Sequence, residues 1–188
     1  MAGRGIEKIR NAGIEVKTGV LAEESIKLNE IFMKYIVNKE PFVLYKSAMS
    51  LDGKIATSTG ESQWISCKAS RREVHELRHQ YMAIMVGSQT VLDDDPMLNC
   101  RLIEGKDPIR VVVDSALRIP MTARLVKTAR DIRTIVACTP RADEKKIRDL
   151  QNAGVEILII EEKDGHVDLK KLTEELGHMQ IDSILLEG

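Results

Sequence analysis

Apolar residues follow two distinct patterns along this chain. Near the start, Leu28, Ile31, Phe32, Tyr35 and Ile36 recur at i, i+3, i+4, i+7 and i+8. That spacing marks one face of a helix and predicts an amphipathic helix over 23–37, broken by Asn38-Lys39-Glu40-Pro41. Beyond Pro41 the apolar residues come in short unbroken runs, which predict strands at 42–49, 82–86, 109–113, 134–138, 155–160 and 183–186. Helical spacing returns between them. A helix over 67–80 is expected, capped by Ser66 and burying Val74, Leu77 and Tyr81. A helical turn at 88–94 and a helix over 142–152 follow. A last helix opens at Asp168, turns Leu169, Leu172, Thr173 and Leu176 inward, and ends at Gly177. The extreme N-terminal stretch predicts the end of a helix at 6–11, a cap at Gly13 and a short strand at 14–16. The same helix–glycine–strand pattern recurs at 151–157.

Strands without polar alternation are buried on both faces, as in helix-covered parallel sheets. The alternation of strand and helix therefore predicts an α/β fold, a mostly parallel sheet with helices on both faces. In such sheets ligands sit beyond the C-terminal ends of the strands. The chemistry is expected at 46–66, 87–101, 114–118, 138–141 and 187–188.

Composition removes several functions. The 188 residues carry 28 Lys+Arg against 29 Asp+Glu, a net charge of -1. A near-neutral chain has no general grip on nucleic acid or on an anionic membrane. No apolar run approaches the roughly 20 residues needed to span a bilayer, and the charged residues 1–20 lack a signal core. A cytoplasmic location is the expectation. Cys67, Cys100 and Cys138 are odd in number, widely spaced and without a C-x-x-C, so they read as reduced thiols.

His75-Glu76-Leu77-Arg78-His79 has the H-E-x-x-H form of a zinc peptidase helix. Catalytic zinc needs a third protein ligand, and none follows in a helical context. Both histidines are expected beside the buried stripe, as surface groups, with no metal bound. Asp93-Asp94-Asp95-Pro96 reads as turn chemistry with a carboxylate capping an amide, since adjacent carboxylates diverge from any single ion. No Walker loop and no complete G-x-G-x-x-G occurs.

The richest set lies in four stretches. Lys46-Ser47-Ala48-Met49-Ser50-Leu51-Asp52-Gly53-Lys54-Ile55-Ala56 follows the first strand, and Gly60-Glu61-Ser62-Gln63-Trp64-Ile65-Ser66 comes next. Gly87-Ser88-Gln89-Thr90-Val91-Leu92-Asp93-Asp94-Asp95-Pro96 and Val111-Val112-Val113-Asp114-Ser115 complete them. They collect hydroxyls, one tryptophan and, nearby, Arg78 and Arg101. Such groups suit a phosphorylated, polyhydroxylated ligand and a flat ring.

In this order and spacing, the four stretches resemble the reductase domain of the bifunctional deaminase/reductase of riboflavin biosynthesis. The resemblance implies a dihydrofolate-reductase-like fold. It also implies NADPH-dependent reduction of 5-amino-6-(5-phosphoribosylamino)uracil to 5-amino-6-(5-phosphoribitylamino)uracil, a phosphorylated pyrimidine ribosylamine substrate, and a homodimer. Residues 1–20 then correspond to the tail of an upstream deaminase domain. Residues 21–188 correspond to a reductase domain that stops before the family's glycine-rich loop. Matching positions assign Ala48, Trp64, Thr90, Asp94 and Ser115 to NADP. They assign Ser62, Arg78, Leu98, Arg101 and Glu187 to substrate. Lys46 and Glu187 are the expected catalytic pair, and Arg78 and Arg101 the expected phosphate ligands. Two other readings stay open: a zinc peptidase through His75 and His79, and a truncated, non-catalytic domain that binds nucleotide or dimerises.

Overall fold

The computed structural model describes residues 3–188; the first two residues of the expected upstream tail lie outside it. The N-terminal part holds α1 (Arg4–Asn11), α2 (Ala22–Leu28), α3 (Glu30–Asn38) and β1 (Phe42–Lys46). An irregular segment then leads to α4 (Lys68–Gln80). The rest alternates: β2 (Ala83–Gly87), α5 (Ser88–Asp94), β3 (Ile109–Val113), α6 (Arg124–Lys127), β4 (Thr134–Cys138), α7 (Glu144–Asn152) and β5 (Glu156–Ile159). The small strands β6 (Glu162–Lys163) and β7 (His166–Val167), then α8 (Leu169–His178) and β8 (Ser183–Glu187), complete the chain.

Six strands form one sheet in the order β1-β8-β2-β3-β4-β5, every neighbouring pair parallel. β6 and β7 pair separately as an antiparallel hairpin. Period-two alternation sends side chains to both faces. Ile84, Val86, Val112 and Val136 meet Val91 of α5, Leu125 of α6 and Leu150 of α7. Ala83, Met85, Val111 and Ile135 meet Leu172 and Leu176 of α8 on the other side. Two hydrophobic layers thus sandwich the sheet, and the α/β architecture expected from unbroken apolar runs is the one observed. Each fully buried Leu or Val contributes about 1.5–3 kcal/mol.

One cation lies inside this core. Arg110 of β3 is fully buried. Its guanidinium donates to the carbonyls of Leu125 (3.1 Å), Thr128 (3.0 Å) and Ile132 (2.8 Å) and to the hydroxyls of Thr128 (2.8 Å) and Thr134 (2.6 Å). Burial lowers its pKa to about 10, with Asp107 and Asp131 opposing, so it stays charged at neutral pH. It ties β3 to the turn after α6.

Several expected elements differ. The single helix over 23–37 is two, α2 and α3. Asn29 interrupts them at φ -110, and its side-chain amide donates to the Ser25 carbonyl at 2.8 Å. A side chain that offers the backbone another partner competes with the helical ladder. The apolar stripe is also uncovered: Leu28, Phe32 and Ile36 are exposed, and neither helix buries a residue. Residues 14–16 form no strand; Ala12 is the C-cap of α1, and Gly13 follows it at φ 78, its amide donating to the Arg10 carbonyl at 2.9 Å. α4 begins at Lys68 after Cys67, with no side-chain cap, so Ser66 is not its N-cap. In α8, Leu169 is exposed where burial was expected. Gly177 lies within α8, not after it; a Cβ there would collide with the Lys39 carbonyl, which brings the end of α3 onto α8. Tyr35 donates to the Gly177 carbonyl at the same crossing, 3.2 Å away.

Candidate active site

The parallel pairing of β1 with β8 sets Lys46 directly beside Glu187 at the C-terminal ends of both strands. α4 crosses above them and delivers Arg78. A hollow of about 1220 Å³ opens there, walled by the segment after β1, by α4 and by the stretch after α5.

Glu187 is the centre of this arrangement. Its carboxylate is almost completely buried. Arg78 grips it with a fork: Nε donates to Oε1 and Nη2 to Oε2, both at 2.9 Å. Lys46 Nζ donates to Oε2 at 3.3 Å. Desolvation alone would raise the carboxyl pKa. The hydrogen bonds and charges of Arg78 and Lys46 outweigh it, and the pKa is held below the ordinary carboxylate value. Glu187 is therefore an ionised acceptor at neutral pH. Arg78 has a third bond, Nη1 to the Asn99 carbonyl at 3.2 Å. Its fork is engaged by this carboxylate while the side chain still lines the hollow.

Both histidines of the H-E-x-x-H stretch are occupied. His75 is buried, not on the surface as expected, and its Nδ1 accepts the Arg101 amide at 3.2 Å. Burial, then the charges of Arg78 and Arg101, lower its pKa. His79 Nδ1 accepts the Lys106 amide at 2.9 Å. Both imidazoles pin the chain after α5 to α4, and among the described residues no group of three or more metal-capable side chains converges. Asp95 accepts the Arg124 amide at 2.8 Å, the capping expected in the acidic run.

Nine of the eleven expected site residues line the hollow. Lys46, Arg78 and Glu187 form its floor; Ala48, Ser62 and Trp64 come from the segment after β1. Asp94, Leu98 and Arg101 come from the stretch at and beyond the end of α5. Leu98 is buried in the core at φ 49, so that position contributes backbone more than side chain. Two lie outside. Thr90 is on α5 beside the end of β8, where a Cβ on Gly188 would come within 3.1 Å of Oγ1. Ser115 lies in the turn after β3; its hydroxyl accepts the Val167 amide at 3.1 Å and its carbonyl the Thr139 amide at 3.1 Å, bracing the β6–β7 hairpin.

Sequence reasoning did not single out Arg71 or Arg124, which also line the hollow. Arg71 lies over the Trp64 ring, 4.1 Å from its centroid. The Arg-Arg pair just after the tryptophan stretch was the available signal. Seven cationic side chains face the hollow against three carboxylates. With Glu187 neutralised by its own partners, the remaining excess of positive charge suits an anionic, phosphorylated ligand.

Comparison with known proteins places the chain in a family. A profile described as the RibD C-terminal domain matches residues 41–188. Riboflavin biosynthesis protein RibD of Actinobacillus pleuropneumoniae is 50% identical over 188 residues, all of this chain and 50% of that protein. The chain thus spans about half the length of the curated relatives it matches. A diaminohydroxyphosphoribosylaminopyrimidine deaminase/5-amino-6-(5-phosphoribosylamino)uracil reductase of Thermotoga maritima superimposes with a TM-score of 0.84 at 40% identity, covering 99% of this chain and 50% of that one. The riboflavin biosynthesis reductase Rib7 of Saccharomyces cerevisiae superimposes with a TM-score of 0.61 at 26% identity, covering 86% of this chain and 72% of that one.

Proposed function

The chain belongs to the RibD C-terminal domain family, and from that premise we propose that it reduces 5-amino-6-(5-phosphoribosylamino)uracil to 5-amino-6-(5-phosphoribitylamino)uracil with NADPH. The observation that carries this reading is the Lys46–Glu187–Arg78 cluster at the floor of a cation-rich hollow. The donor set fits a phosphorylated dinucleotide: an exposed indole at Trp64, a cationic rim, and the Thr90 hydroxyl close to the Gly188 backbone. The homodimer implied by the resemblance and the cytoplasmic location expected from the sequence stand as part of the same proposal.

The reaction asks little covalent chemistry of the protein. Ring opening of the ribosylamine breaks C1′–O4′, forms C1′=N and leaves a proton on O4′. NADPH, when bound, supplies the hydride that C1′ accepts, and the nitrogen takes up a proton. Orientation is then the main task. Glu187, held ionised, accepts from a sugar hydroxyl. Lys46, its neighbour, donates to a sugar oxygen and assists proton transfer to O4′. Arg78 fixes the carboxylate that orients both. Arg101, the less engaged arginine, whose Nη1 reaches only the Asn99 side-chain oxygen at 3.4 Å, takes the substrate phosphate. Ser62 and the Leu98 backbone complete the substrate side, with Ala48, Trp64, Thr90, Asp94 and Ser115 on the nucleotide side.

The test is direct. Purified protein is mixed with NADPH and the phosphoribosylaminouracil, and loss of reduced-nicotinamide absorbance is followed. Substrate-dependent oxidation supports the reading. Binding of NADPH with no oxidation under any substrate concentration would leave a nucleotide-binding domain in its place.

A further inference from the structure

Trp64 is the only tryptophan of the chain, and it is 69% exposed. It sits in the segment 47–67, which has no helix or strand to hold it. A large flat side chain on such a segment pays rotamer entropy each time it is ordered against a ligand. One contact removes that freedom. The Arg71 guanidinium lies over the ring, 4.1 Å from its centroid. The same group donates from Nη1 to the Ser66 carbonyl at 2.6 Å. Arg71 stands in the first turn of α4, the helix that also carries Arg78 to Glu187. One planar cation therefore joins the irregular segment, the indole and the rigid helix.

We propose that Arg71 is a positioning residue. It fixes the Trp64 ring in the wall of the hollow, with one face capped by guanidinium and the other free to stack on a flat ligand ring. The proposal rests on the NADPH reading above for the identity of that ring. It explains why arginine stands here: a guanidinium can lie flat on the ring and donate in its plane at once, whereas an ammonium is a point charge that does not combine the two.

Because the chain has a single tryptophan, its emission reports this side chain alone. Arg71→Met and Arg71→Lys are compared with the parent by acrylamide quenching of Trp64, by quenching on NADPH addition, and by steady-state kinetics. Far-UV circular dichroism checks that each variant keeps its fold. Arg71→Met is expected to make the indole more accessible to acrylamide and to raise KM for NADPH about two- to fivefold, the size of one exposed cation–π contact. The kcat should stay within about twofold, since the residue acts before chemistry. Arg71→Lys should recover only part of the loss. In a Trp64→Leu background, Arg71→Met should change KM no further, because the contact it serves is already gone. Unchanged acrylamide quenching in Arg71→Met would overturn the proposal. So would a KM penalty that persists in the Trp64→Leu background, which would make Arg71 a direct ligand of the nucleotide phosphates. If the parent protein oxidises no NADPH, the functional reading fails, while acrylamide quenching still decides the Arg71–Trp64 contact.

Discussion

The two halves of this molecule are built on different terms. From Tyr81 onward, every strand of the main sheet except the edge strand β5 carries fully buried side chains, and the helices α5, α6, α7 and α8 each bury residues against them. Before Lys68, α1, α2 and α3 bury nothing, and β1 alternates half-buried with exposed positions. The first region supports itself. The second is held through a few contacts: the pairing of β1 with β8, the Tyr35–Gly177 hydrogen bond and the Phe42 packing on Tyr81. The hollow lies on the seam. Arg78 and Glu187 meet the self-supporting half, while Lys46, Ser62 and Trp64 come from the loosely covered one. Rigid electrostatics and an adjustable wall are thus supplied by different parts of the chain.

This contrast can be broken most severely at Arg110. Arg110→Ala would leave a set of buried carbonyls and hydroxyls without their donor, at a cost of about 3 kcal/mol or more in chemical denaturation. A loss below about 1 kcal/mol would show that water or a rearranged turn replaces the guanidinium. Next in size, Leu172→Ala is expected to cost about 2–5 kcal/mol, the usual range for a buried leucine with a residual cavity. At the seam, Arg101→Ala should raise KM for the phosphorylated substrate about tenfold or more, with kcat less affected. An unchanged KM would remove Arg101 from phosphate binding.

Acidity offers a finer probe. The folded pKa of His75 is lowered by burial and by Arg78 and Arg101. The native state therefore favours the neutral ring, and the unfolded chain binds the extra proton first. That contribution is complete above the model-peptide value near 6.5 and fades as pH falls through the lower folded value. Melting temperature should drop between pH 7.5 and 5.5, and the drop should be shallower in His75→Asn. Equal slopes would assign the acid sensitivity elsewhere. Glu187, whose folded pKa is also lowered, contributes stability of the same sign at more acidic pH, where it is lost in turn. The smallest effect belongs to the exposed half: Phe32→Ser should change stability by no more than about 0.5 kcal/mol. A larger loss would show that the α3 face is covered in solution.

The same contrast governs what could be read from the sequence. β3 and β4, double-faced and apolar, fall at their expected bounds, and so do α5 and the Asp168-capped start of α8. In these stretches local pattern and burial agree. Residues 23–37 carried an equally regular stripe, but periodicity reports which residues could share a face, not whether anything covers it. Nor did it weigh Asn29, whose side chain rewires the turn. The β6–β7 hairpin was invisible because four strand residues around Asp164-Gly165 leave no apolar run. In the site, the family resemblance named eleven positions and nine of them line the hollow, as strand ends in a parallel sheet converge by topology. It did not show that Arg78 spends its fork on Glu187, or that Ser115 props a hairpin. Those assignments depend on which partner each group reaches first, which a linear pattern does not encode.

The parallel alignment of β1 on β8 has a consequence for misfolded forms. Lys46 meets Glu187 only because the two strands are in step to the residue. If β1 slid by a single position, its side chains would change faces and the lysine ammonium would point away from the carboxylate. A strand with no fully buried residue therefore carries its own proof of correct assembly, since a molecule zipped one notch off would be intact in outline and silent in chemistry.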